Sequence, residues 1–100
     1  MNLKGAAGVV NVERVRTTFA VDGFTAAEAA EGIPHLRAEL GERELLAFDA
    51  HWDDTTEQVV VTVESADFGL DMAEAHYDLV WDCVIACIKF SGKRIRFNRV

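Results

Sequence analysis

A histidine and two cysteines stand at positions 76, 83 and 87, inside the most apolar run of the chain. On a helix, spacings of seven and four bring side chains to neighbouring turns of one face, which is geometry that can serve a metal ion or a thiol–imidazole pair. Structural zinc takes four ligands, however, and the other histidines, His35 and His51, fall on different segments. A reactive thiolate needs positive neighbours, whereas Cys83 follows Asp82 in an acidic part of the chain. We therefore expect Cys83 and Cys87 to be reduced, buried thiols acting as small core hydrophobes, with no metal and no cofactor. Two cysteines four residues apart cannot build a disulfide framework.

The stretch His51-Trp52-Asp53-Asp54 offers an imidazole beside two carboxylates. Between two strand-like runs it reads as a solvated turn. The chain contains no glycine-rich phosphate loop, no Gly-x-Ser-x-Gly elbow and no His-Glu-x-x-His helix.

Charge is distributed more unevenly than chemistry-bearing side chains are. The net charge of the 100 residues is −7, but residues 20–82 hold sixteen of the seventeen acids against Arg37 and Arg43 alone, a net of −14. The flanks are basic: Lys4, Arg14 and Arg16 face only Glu13, and Lys89, Lys93, Arg94, Arg96 and Arg99 face no acid. Such a split suggests an anion-binding face if the two flanks are neighbours in space, unless Glu64, Asp49 or Glu13, or a partner subunit's acids, neutralise the arginines across strands.

The elements that would position these residues follow from periodicity. Val15, Thr17, Phe19 and Val21 alternate with Arg14, Arg16 and Thr18, within a first strand over residues 9–21. Thr25 with Glu28 makes a capping-box pattern opening a helix, and Ala26, Ala30, Ile33, Leu36 or Arg37, and Leu40 continue it past Gly32 and Pro34 to Gly41, as one kinked helix. Alternation over 44–52 and again from Val59 to Glu64 gives a hairpin. Asp67 or Asp71 caps a second helix that runs to Phe90, with its apolar stripe centred on Ala73, Tyr77, Val80, Val84, Cys87 and Ile88. Residues 94–100 form a last strand with Ile95 and Phe97 on one face.

The order strand, helix, strand, strand, helix, strand predicts an α+β, ferredoxin-like βαββαβ domain over 1–100, with residues 1–8 as a flexible lead-in. Right-handed crossovers give an antiparallel sheet of order 4-1-3-2 with both helices on one face. In that order strands 1 and 4 are neighbours, so Arg14, Arg16, Arg94 and Arg96 are expected together on the open face. Leu45, Ala47, Val60 and Ala20 are expected beside them.

These features predict a small non-catalytic binding module, homodimeric, that uses the four arginines for an anionic ligand or acidic partner. Two other readings compete: a small enzyme using His51 or His76 in a pocket at a dimer interface, and an acidic inhibitor or immunity-type protein docking a basic partner. Nucleic acid is not expected, because the outward positions of the central strands carry no aromatic residue for base stacking. The longest apolar window is far short of a bilayer span and the first residues do not resemble a signal peptide, so a cytoplasmic protein without membrane contact is expected.

Overall fold

The computed structural model describes residues 13–89 and 94–100. The expected lead-in, the first residues of the expected first strand, Phe90 and Lys93 lie outside these. The elements are β1 (Arg14–Asp22), α1 (Ala26–Gly41), β2 (Ala47–Asp53), β3 (Gln58–Ala66), α2 (Met72–Cys87) and β4 (Arg96–Arg99). They form an α+β structure with one four-stranded sheet of order β2-β3-β1-β4, every neighbouring pair antiparallel. That is the expected order read in reverse.

Alternation decides which face each strand buries. Thr17, Phe19 and Val21 of β1 and Val59, Val61, Val63 and Ser65 of β3 point to the helix side, where they are buried, and Ala50 of β2 joins them. Ala29, Ile33, Leu36 and Leu40 of α1 and Val80, Cys83 and Val84 of α2 close on them as one apolar cluster, so both helices cover the same face. Each fully buried large side chain contributes roughly 1.5–3 kcal/mol relative to exposure.

Local chemistry sets the helix starts. Thr25 Oγ1 accepts from Glu28 N–H at 3.1 Å while Glu28 Oε1 accepts from Thr25 N–H at 2.9 Å, the reciprocal pair of a capping box. Pro34 lies inside α1. Asp71, not Asp67, caps α2, accepting from Glu74 N–H at 3.2 Å.

Three expectations are corrected. First, α2 stops at Cys87, three residues before Phe90, because Ile88 turns to an extended conformation (φ −116°, ψ 119°) and packs onto Gly32 of α1. A Cβ at Gly32 would sit 2.9 Å from Ile88 Cα and 3.0 Å from Cys87 O, so this contact requires glycine. Second, the buried stripe of α2 is Met72, His76, Val80, Cys83 and Val84, rotated away from Tyr77. Tyr77 instead meets Phe19 and Phe97 edge-on, at centroid distances of 5.9 and 5.6 Å, and stacks with Trp81. Third, Leu45 packs against the core rather than on the open face, and Ala26 and Ala30 of α1 are exposed. Among the described residues no helix is long and apolar enough to cross a membrane.

Candidate functional site

The sheet face opposite the helices is built of cross-strand rows fixed by register. Arg16 stands beside Glu64, which stands beside Ala47; Thr18 is followed by Thr62 and Asp49; Ala20 by Val60 and His51; and Gln58 stands beside Asp53. On the other side of β1, Asn98 is opposite Ala20 and Arg96 opposite Asp22. The rows are tied by side chains. Thr18 and Thr62 hydroxyls lie 2.9 Å apart, and Asp22 accepts from Gln58 Nε2 at 2.8 Å and Asn98 Nδ2 at 3.1 Å.

Arg14 and Arg16 share one carboxylate. Arg14 Nη1 is 3.7 Å and Arg16 Nε 3.8 Å from the two oxygens of Glu64, with the arginine side chains 63% and 69% exposed and Glu64 only 16%. These separations exceed the 2.7–2.9 Å typical of a charge-assisted hydrogen bond, so the guanidinium donors remain available to another acceptor. A shallow depression of about 280 Å³ opens beside Arg16, lined also by Thr18, Thr62, Ala47, Asp49 and Glu64. One guanidinium and one hydroxyl proton, the other being spent between Thr18 and Thr62, can there meet an oxyanion.

Arg94 and Arg96 do not join this pair, which corrects the expectation of a four-arginine patch. The short β4 runs antiparallel to β1 from Asp22 to Phe19, so its leading residues sit at the far end of β1. Six residues separate Asp22, the partner of Arg96, from Arg16, or about 20 Å of strand. Arg94 precedes β4, and its carbonyl oxygen lies against Gly23, whose φ of +117° only glycine adopts without strain.

The histidines separate by environment. His76 is 2% exposed, with Nδ1 2.9 Å from Thr17 Oγ1 and Nε2 2.8 Å from Ser65 Oγ. Burial lowers its pKa from the ordinary value of 6.5, which keeps the ring neutral. Although a serine and a histidine within hydrogen-bond reach is the beginning of a nucleophile–base pair, both lie in the core, without access for a substrate. His51 is exposed on the sheet face, with Nδ1 2.8 Å from Asp49 Oδ2. The following residues form the expected turn: Trp52 Nε1 donates to Asp54 at 2.9 Å, and Asp53 Oδ1 accepts from Thr55 N–H at 2.9 Å, a bond that lowers the Asp53 pKa.

Cys83 is buried and Cys87 half-buried, and burial raises the pKa of both thiols; the Arg43 guanidinium offsets part of this and Glu39 adds to it. Cys87 and His35 line one depression of about 280 Å³ with Glu28, Glu31, Gly32 and Lys89, a juxtaposition that spacing alone did not reveal. Among the described residues no group of three or more His, Cys, Asp or Glu side chains is placed to hold a metal ion. The hydroxyl clamp on His76 was likewise missed, although Thr17 and Ser65 are the polar interruptions of otherwise apolar inward rows.

Comparison with protein-family models, with curated proteins and with solved structures finds no match to this chain.

Proposed function

We propose that this chain is a small non-catalytic interaction module of ferredoxin-like arrangement, homodimeric, whose exposed sheet face takes an anionic ligand or an acidic partner at Arg14 and Arg16. The observation that supports it is the sharing of Glu64 by two exposed guanidinium groups at 3.7 and 3.8 Å. Arg14 and Arg16 stand against Glu64 and, across the depression, Asp49, so this corner offers directed guanidinium donors rather than a net positive charge. The hydrogen-bonded Thr18–Thr62 pair supplies one neutral donor beside it. The dimer rests on the outer side of α2, where Ile85 leaves 47% of its surface in water beside the half-buried Trp81.

Anion-specific stabilisation tests the site. Citrate or pyrophosphate at about 100 times Kd stabilises a folded state by ~2.7 kcal/mol, several degrees in Tm for a domain of this size. Sodium chloride at equal ionic strength should not reproduce this, and the Arg14→Gln/Arg16→Gln double variant should lose it. An equal gain in chloride or in the double variant would refute the assignment. Sedimentation equilibrium at micromolar concentration tests the dimer, and a monomer there removes it.

A further inference from the structure

β1 is paired unevenly. On one side β3 covers it from Arg14 to Val21, whereas on the other β4 covers only the residues from Phe19 to Asp22. Two hydrogen bonds fix which way its peptide groups point. Thr18 C=O accepts from Val100 N–H at 2.9 Å on the β4 side, and Glu13 C=O accepts from Asp67 N–H at 2.8 Å on the β3 side. Because peptide groups alternate along a strand, N–H and C=O of Arg14 and Arg16 face the β4 side, beyond the point where β4 stops. Among the described residues nothing pairs with them there. The open stretch from Arg14 to Thr17 is about 13 Å long.

We propose that this edge receives an extended acidic peptide segment by strand addition, antiparallel to β1 and in line with β4. The proposal rests on Arg14 and Arg16 as the anion-binding pair. An added strand supplies main-chain partners to Arg14 and Arg16, and the two residues opposite them, separated by one, project onto the exposed face. Acidic side chains at those two positions stand about 5 Å from the arginines across the ladder, where the guanidinium fork matches a carboxylate. A second copy of this chain is a poorer occupant. Two-fold pairing of the same edges sets Arg14 and Arg16 against their own counterparts, with like charges directly opposed.

The residue between the two acids projects to the helix side. There, next to the end of β4, lies a cleft of about 270 Å³ lined by Asp71, Ala73, Glu74, Tyr77 and Arg99. Its two carboxylates disfavour a third acid, and Tyr77 and Ala73 offer apolar surface, so the recognised pattern is acid, uncharged residue, acid.

The test uses the blocked peptide Thr-Glu-Val-Glu-Val-Thr, its glutamine counterpart, and a version N-methylated at both glutamates, which keeps the charge and removes the donors that face β1. The glutamate peptide should bind and slow amide exchange at Arg14 and Arg16. The glutamine and N-methylated peptides should each bind about tenfold more weakly or worse, as should the glutamate peptide to Arg14→Gln/Arg16→Gln. If the N-methylated peptide binds as tightly and the amides exchange as before, the edge is not used, while a retained response to citrate leaves the arginine site standing. If neither peptide nor citrate binds, both proposals fall.

Discussion

Ser65 Oγ lies 2.8 Å from His76 Nε2, joining β3 to α2 inside the apolar core. Ser65 Oγ also donates to Ala66 C=O at 3.1 Å. With its one proton so committed, it must accept from His76 Nε2–H, and Nδ1 then accepts from the Thr17 hydroxyl at 2.9 Å. This tautomer, assigned from the network, satisfies every polar group in the cluster. The imidazole thereby holds two strands and a helix in one register.

Removing either hydroxyl should cost more than the hydrogen bond itself. Thr17→Val keeps the volume but orphans Nδ1, and Ser65→Ala orphans Nε2–H, each worth about 1–3 kcal/mol of stability in a dry site. Urea unfolding measures this. Losses under ~0.5 kcal/mol in both variants would mean the cluster admits water.

The same histidine predicts a pH dependence. Its folded pKa lies below the unfolded value near 6.5, so between the two the unfolded chain binds a proton that the folded chain does not. Stability from this group is complete above about pH 6.5 and falls as pH drops below it, by at most ~1.4 kcal/mol per pH unit. Unfolding free energies from pH 8 to 5 should fall more steeply for the natural protein than for His76→Gln. Parallel curves would show that His76 is not the group responsible.

Gly32→Ala separates local propensity from packing. In an exposed helix the change stabilises by about 1 kcal/mol. Here the new methyl meets backbone atoms of Cys87 and Ile88 at 3.0 and 2.9 Å, so α1 and the end of α2 must move apart. We expect a loss of ~1–3 kcal/mol and a lower Tm. A raised Tm would show that the helices separate easily.

The thiols should react in sequence. Burial raises both pKa values, but Cys87 is half-buried and Cys83 fully buried. Iodoacetamide followed by mass spectrometry should modify Cys87 slowly and Cys83 only on unfolding. Rapid labelling of Cys83 in the native protein would contradict the packing of α2.

Much of this architecture was legible because local signals agreed with the fold. The Thr25–Glu28 box, the Asp71 cap and the alternation of β1 and β3 are short-range patterns that the structure keeps. What was not legible depends on distant partners. His76 joins the core only because Thr17 and Ser65, 59 and 11 residues away, supply its hydrogen bonds. Phe90 was expected inside the helix because nothing near it in sequence signals that Ile88 is captured by Gly32. The arginines show the limit most clearly: alternation places a side chain on a face, but only the β1–β4 register shows that Arg96 stands beside Asp22 and far from Arg16.

Because the Arg14 and Arg16 pairs to Glu64 are long and their guanidinium ends are exposed, they should contribute under ~1 kcal/mol to stability. Arg14→Gln/Arg16→Gln should therefore fold normally, which makes it a clean control for binding. The most direct measurement is a citrate titration followed through the arginine Nε–H resonances, with chloride as the ionic-strength control. We expect saturable shifts at Arg14 and Arg16, no comparable shift at Arg96 or Arg99, and no response in the double variant's backbone amides. Uniform, non-saturating shifts at all four arginines, or saturable shifts centred on Arg96, would contradict the assignment of the binding site to the Arg14–Arg16 corner of the sheet.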